Sequence, residues 1–337
     1  MDTSDYARVL MPAIPRRAFA PNPRKLIVCG MHLAVVVVGW MAFRFVAHFY
    51  WPPISLVIGA SLSCVALIAH DVTHRNVVRG KFVLYPTELV LWGLLCMPAT
   101  VWKRVHTYHH VVTNSVDDPE RRFLTSEASL ATAVYGTLFY PNRGLKYNPL
   151  CFLHFAIANI RNTVAAFYSN RSKPKLVPSK PNYTFPDRSK IILEIAVIIA
   201  IQFSIAKISG HGGYIAASLI PLFLVSVVTS AYFISSHALR PLRDDGDALA
   251  SSTSLILPQF IDKLHVNQSY HSEHHLFPNM NPDYYPLVGA LLQKHFPDAY
   301  HRIPVSAVWS QIWELPLFIA PPVGLESSAK ASDRPAV

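Results

Sequence analysis

Four long apolar runs constrain this chain more than anything else in it: residues 25–50, 54–70, 191–207 and 214–236. A helix needs about 20 residues to cross roughly 30 Å of hydrocarbon, and only an element that satisfies its own backbone hydrogen bonds is stable there. The predicted fold class is therefore an all-α membrane protein, with four transmembrane helices in two hairpins. Trp51-Pro52-Pro53 is the expected turn of the first hairpin, and Ser209-Gly210-His211-Gly212-Gly213 that of the second. Trp40, Tyr50 and Trp51 suit an interfacial aromatic belt. Composition agrees, because Asp, Glu, Lys and Arg make up only 15% of the chain, against about 25% in soluble domains.

Lys and Arg number 30 against 20 Asp and Glu. No basic stripe interleaved with aromatics and no zinc-finger spacing accompanies that surplus, which argues against nucleic acid as a partner. The basic residues gather before the first run, between residues 70 and 190, and after His237, while the two short turns carry none. Lys and Arg accumulate in cytoplasmic segments, so both hairpins are expected to point outward with both termini and the central region in the cytoplasm. The surplus would also attract anionic lipid. The expected domains are a cytoplasmic N-terminal segment (1–25), one integral-membrane unit (26–325) and a disordered tail (326–337). Residues 84–99 are apolar but broken by Pro86, Glu88 and Pro98, and read as a helix lying in the interface. Residues 128–160 get the same reading, and 171–190 reads as an extended connector. Cys29, Cys64, Cys96 and Cys151 form no CxxC and read as small apolar residues rather than disulfide partners.

Against this greasy background the 16 histidines stand out, and they fall into two kinds. His32, His48, His154, His211, His265, His295 and His301 are solitary and need no role beyond a hydrogen bond. The others are grouped: His70 and His74 form an HxxxH, while His106, His109, His110 and His271, His274, His275 form two HxxHH boxes. His237 stands alone at the inner end of the fourth run. Positions three and four apart share a helical face, so each box is a pincer of imidazoles, and the four-span topology puts all nine on one side of the membrane. That exceeds the needs of one metal ion, since a catalytic zinc takes three protein ligands and a water. Two ions with room left for water or O2 fit better, and imidazole suits iron, copper, nickel and zinc alike. Asp71, Asn114, Asp117, Asp118, Asn267 and Glu273 are candidates for orienting the ligands, Asn267 because it lies four residues before His271 and so, on a continuous helix, on its face.

These boxes, HDVTH at 70–74, HTYHH with TNSVDDPE at 106–120, and NQSYHSEHHLFPNMNP at 267–282, resemble the membrane fatty acid desaturases and the related acyl hydroxylases and carotenoid-modifying oxygenases. The resemblance spans roughly residues 26–300, and HSEHHLFP looks most like acyl-lipid and sphingolipid desaturases. It implies a cytoplasm-facing centre of two non-heme irons that uses O2 to remove two hydrogens from a saturated carbon pair. The eight box histidines carry over as ligands, and His237 as the additional one. Phe233 stands where acyl-CoA desaturases have an asparagine that holds a metal-bound water. No His-Pro-Gly-Gly haem signature and no GxGxxG is present, so the electron donor is expected to be a separate protein, a ferredoxin or cytochrome b5 with its reductase. The expected partners are this donor, a lipid or acyl substrate, and the membrane. An apolar tunnel near the inner span ends would hold the alkyl chain, with Trp102, Tyr232, Phe233 and Tyr270 as candidate walls. The boxes alone do not separate desaturation from hydroxylation or ketolation of a lipid or carotenoid. A histidine-lined metal transporter is the reading from another class, disfavoured because transport sites lie near the bilayer midplane.

Overall fold

The computed structural model describes residues 3–121, 124, 128–168, 183–243 and 245–318. The expected tail, 326–337, and most of the expected connector, 171–182, lie outside the described residues.

Helix α1 (Thr3–Leu10) and two 3₁₀ turns lead into α2 (Lys25–Ala42), and α3 (Trp51–Thr73) returns beside it. The first span is shorter than expected: α2 ends at Ala42, and the connection to α3 contains a 3₁₀ turn at His48–Tyr50. Trp51-Pro52-Pro53 is not the hairpin turn but the first turn of α3, with proline near N1, where a missing N–H costs no hydrogen bond. α3 is the central helix of the bundle, buried on nearly every face from Ser61 to Thr73. Small residues allow that. A Cβ added at Gly59 would sit 2.8 Å from Leu224 and 3.2 Å from the backbone of Pro221, so glycine is what lets α3 and the fourth run approach closely.

After α3 come α4 (Lys81–Leu94) and α5 (Ala99–Val112), bent by 98° at the intervening break, where Cys96 has a φ of +56°. The bend turns α5 away from α4 and under the bundle. α6 (Leu130–Phe139) and α7 (His154–Tyr168) follow, then α8 (Phe185–Ser209). α8 opens with a capping box, Thr184 with Asp187, so residues 185–190, expected as connector, are already helical. Glu194 on α8 accepts from the Thr100 backbone N–H at 3.0 Å and from its hydroxyl at 2.7 Å. A carboxylate on the free N–H groups of a helix N-terminus is favourable, and it fixes α5 to the bundle. Gly210, at φ +79°, ends α8. A π turn at Ile215–Leu219 then leads into α9 (Ile220–His237).

Five segments are long and apolar enough to cross a membrane: Arg24–Ala42, His48–Thr73, Pro149–Tyr168, Phe185–Ser209 and Ile215–His237. Four of them correspond to the expected spans. The fifth falls largely where the sequence suggested an interfacial element.

Beyond α9, short pieces wrap the inner end of the bundle: α10 (Ala248–Ser251), β1 (Ser254–Ile256), α11 (Gln259–Leu264), α12 (His271–Leu276), α13 (Tyr285–His295), β2 (Arg302–Pro304) and α14 (Val305–Ile312). β1 and β2 pair in parallel, Leu255 opposite Ile303. The N-terminal segment is not separate from this cap, since Tyr6, Leu10, Ile14 and Ala18 share an apolar core with Leu276, Phe277, Tyr285 and Val288.

Candidate metal centre

All three boxes land where helices end. His70 is in the last turn of α3 and His74 caps it; His106, His109 and His110 lie on α5, and His271, His274 and His275 on α12. His237 is the last residue of α9. Their ring nitrogens converge into two groups, His70, His74, His106 and His274 in one, and His109, His237, His271 and His275 in the other, the ligating atoms of each lying within 4.8 Å of one another. His110 joins the first group, its Nε2 3.1 Å from that of His106 and 3.0 Å from that of His274. Of the solitary histidines, His32, His48, His154, His265, His295 and His301 stay outside both groups.

The donor chemistry tests whether a metal fits. In the first group Nε2 of His106 is 3.0 Å from Nε2 of both His70 and His74; in the second, Nε2 of His271 is 2.8 Å from that of His237 and 3.1 Å from that of His275. Behind the rings, Nδ1 of His109 meets Asp118 at 2.9 Å, Nδ1 of His237 meets the Ser251 carbonyl at 2.9 Å, and Nδ1 of His106 meets Glu120 at 3.3 Å. Carboxylates and carbonyls only accept, so these Nδ1 atoms carry the protons and each Nε2 offers a bare lone pair to its cluster. Lone pairs facing each other at about 3 Å repel, and a cation between them turns that repulsion into coordination. Burial, reinforced by neighbouring imidazoles, holds His271, His274 and His275 well below their ordinary 6.5, which keeps them neutral as ligands must be.

The predicted supporting residues divide. Asp118 is buried and, against the opposing effect of burial, is kept ionised by His109 and by the N–H groups of Asn114 and Glu120. Asn114, at φ +55°, donates its side-chain amide to the carbonyls of His237 at 3.1 Å and Ser251 at 3.3 Å. Asp71 pairs with Lys25 at 2.9 Å and accepts from Gln268, whose amide nitrogen also lies 3.1 Å from His70 Nδ1. Glu273 touches no ligand ring. Burial raises its carboxyl to about 7, while the hydroxyls of Ser254 and Tyr300 donate to it. It fastens α12 to the cap, and a Cβ at Gly289 would come within 2.5 Å of it. Asp117 makes a loop bond instead, its N–H donating to Ser115 Oγ at 3.1 Å.

Asn267 requires a correction. It is not on a helical face with His271, because α12 begins only at His271; Asn267 sits at φ +59° and donates to the Pro282 carbonyl at 3.0 Å. Periodicity fails there because the chain reverses between α11 and α12.

Several supporting residues were not singled out from sequence. Glu120 ended a quoted motif but lies 14 positions from His106, beyond any helical spacing. Thr113, which opens that same motif, has its Oγ1 3.3 Å from His275 Nδ1, and Tyr285, which no sequence signal marks, reaches His274 Nδ1 at 3.2 Å; Trp102, singled out only as a tunnel wall, stacks on His106 at 4.8 Å. Trp102 also lines, with Leu67, Phe155, Tyr232 and Phe233, an apolar slot of about 30 Å³ whose walls include His70 and His271, one histidine from each group. Three of the four candidate tunnel residues are therefore there. Tyr270 is not; it packs beneath the Arg302 guanidinium at 4.3 Å.

With this geometry in hand, comparison with known proteins is decisive. The family model described as fatty acid desaturase matches residues 47–307, a stretch that holds all nine clustered histidines. The chain belongs to the fatty acid desaturase family. It is an oxidoreductase of fatty acid metabolism. Its relatives include the sn-1 oleoyl-lipid 12-desaturase of Synechocystis sp., 23% identical over 79% of this chain and 75% of that protein. The Delta(12) fatty acid desaturase FAD2 of Calendula officinalis is 24% identical over 79% of this chain and 72% of that protein. A fatty acid conjugase, FAC2 A, from the same plant is 21% identical over 80% of this chain and 74% of its own length.

Proposed function

We propose that the protein desaturates a fatty acyl chain, using O2, at two non-heme irons held by the nine histidines. The observation that carries this reading is the apolar slot walled by one histidine from each cluster, where a carbon pair would lie beside both metals. His70, His74, His106, His110 and His274 would hold one iron, and His109, His237, His271 and His275 the other. Iron bound there supplies what side chains lack, the activation of O2 and the removal of hydrogen from an unactivated CH2. The protein's own share is positional: Trp102, Phe155 and Phe233 fix the alkyl chain and exclude water, while Asp118, Glu120 and the Ser251 carbonyl hold ring protons on Nδ1. The names of the relatives favour a lipid-linked acyl substrate, with electrons arriving from a separate ferredoxin or cytochrome b5. The apolar slot beside both clusters favours desaturation over metal transport.

We read the bundle as four spans, with the site on the cytoplasmic side. His70 and His74 end α3, His237 ends α9, and both belong to one centre, so the inner ends of these packed helices share a membrane face. α8 runs antiparallel into α9 through a short turn, which returns its N-terminus to that same face. Between α3 and α8 the chain must then cross an even number of times. α5 contributes histidines to the centre and does not cross; α7 alone would make the count odd, so Pro149–Tyr168 is better read as lying at the interface. The basic residues on this side support a cytoplasmic orientation.

Aerobic expression in a host with a defined lipid composition, followed by mass-spectrometric profiling of acyl chains, tests the proposal. New double bonds absent from a His237→Ala control are expected. Profiles identical to an empty-vector control would dismiss desaturation, and a hydroxylated or keto product would replace it with oxygen insertion.

A further inference from the structure

Three aromatic side chains with an N–H or O–H line the slot beside both clusters: Trp92, Trp102 and Tyr232. They differ in what receives that hydrogen. Trp92 Nε1 donates to the Thr73 hydroxyl at 3.1 Å, and Trp102 Nε1 is buried with no partner among the described residues. Of the three, Tyr232 alone meets a base, its hydroxyl lying 2.9 Å from Nδ1 of His265. A phenol is the stronger donor of that pair, so the imidazole accepts. Burial, and then nearby His32, lowers His265 below its ordinary 6.5, which leaves Nδ1 free of a proton. Tyr285 also reaches a cluster, with His274 Nδ1 at 3.2 Å and the Phe277 carbonyl at 3.4 Å. With Nε2 of His274 turned to its cluster, Nδ1 carries the ring proton, and a carbonyl is too weak a base to take the phenol's.

The pairing answers a hazard of the chemistry proposed above. An oxidant able to take hydrogen from an unactivated CH2 can also oxidise the rings around it, and with no acyl chain in the slot those rings are what it meets. A phenol gives up an electron easily only when its proton leaves in the same step, because the radical cation left otherwise is a very strong acid. We infer that Tyr232 and His265 form a redox-active pair that quenches the O2-oxidised metal centre when no acyl chain fills the slot, an inference that rests on the proposed desaturation. The Tyr232 O–H bond breaks: its electron passes to the oxidised metals, and its proton forms an N–H bond at His265 Nδ1, leaving a neutral phenoxyl radical beside an imidazolium. One electron from the carrier that serves desaturation, with return of the same proton, restores the phenol. Trp102 and the ligand rings are thereby spared irreversible oxidation.

Electron paramagnetic resonance of the purified, iron-loaded full chain, reduced and then frozen after exposure to O2 without acyl lipid, tests the pair. A tyrosyl signal is expected, narrowing when ring-deuterated tyrosine is incorporated. Read per bound iron, Tyr232→Phe should abolish it, and so should His265→Gln, which keeps a hydrogen-bond acceptor but removes the base. Tyr135→Phe should leave it, because Tyr135 and His154 form a similar pair at 3.0 Å but lie outside the slot. Mass spectrometry of the cycled protein should find Trp102 oxidised in Tyr232→Phe and intact in wild type. A wild type that forms unsaturated product with no tyrosyl signal, a signal surviving in Tyr232→Phe or His265→Gln, or an equal loss in Tyr135→Phe would overturn the pair. So would a signal undiminished when the lipid consumed in the profiling above is added before O2. A Tyr232 radical in a protein that forms no unsaturated product would refute the proposed function and leave the redox pair standing.

Discussion

The two histidine clusters are built from the same side-chain type, yet they differ in how they are held. The cluster of His109, His237, His271 and His275 is wholly buried, and two of its rings are fastened from behind by strong acceptors, Asp118 at 2.9 Å and the Ser251 carbonyl at 2.9 Å. The cluster of His70, His74, His106, His110 and His274 has two half-buried members and longer supports, Glu120 at 3.3 Å and Tyr285 at 3.2 Å. One is enclosed and rigidly oriented; the other is reachable from solvent. The centre proposed for this site would have to shield a metal pair and still accept electrons, and so would need one face of each kind.

Removing a ligand from the enclosed cluster should have the largest effect. His237→Ala is expected to abolish turnover and to lower iron from about two per chain to about one, measured by elemental analysis of purified protein, with membrane insertion intact. Next come the supports. Asp118→Asn should weaken metal binding in the enclosed cluster by about 10–100-fold, whereas Glu120→Gln, acting on the open one, should cost less than about tenfold; competition with a chelator measures both. Equal losses would erase the distinction between the clusters.

Acidification gives a third handle. Burial, reinforced by neighbouring imidazoles, keeps His74, His274 and His275 below 6.5 in the folded protein, so through them the fold binds fewer protons than the unfolded chain and loses stability as pH drops beneath that value. Protons also compete directly for the ligand nitrogens. Iron should therefore be released as pH falls, first from the open cluster, followed by iron content across a pH series. The smallest effect is expected for Tyr285→Phe, which removes one neutral hydrogen bond to His274, worth about 1 kcal/mol; a chelator titration should shift by about tenfold or less.

Much of this was legible in the sequence because it is periodic. Apolar runs report spans, and HxxxH and HxxHH report faces of helices that do form, α3, α5 and α12. What periodicity does not reach is what the cap brings together from afar. Glu120, Tyr285 and Ser251 support ligands from other segments, and Asn267 was misplaced because a helix was extended through a turn. Trp51-Pro52-Pro53 was misread for a related reason: proline marks helix beginnings as well as turns. Arg44 illustrates the remaining gap, since its guanidinium caps the carbonyls of Lys207 and Ile208 at the end of α8, a pairing across the two hairpins that no local pattern announces.

The central claim is that nine histidines from four helices form one two-metal oxidising centre. Its most direct test is the iron content of the purified protein, by elemental analysis and Mössbauer spectroscopy, in wild type and His237→Ala. About two irons per chain in a magnetically coupled pair, falling to about one uncoupled iron in the variant, is the result predicted. Zinc in place of iron, or an iron content unchanged by His237→Ala, would contradict it.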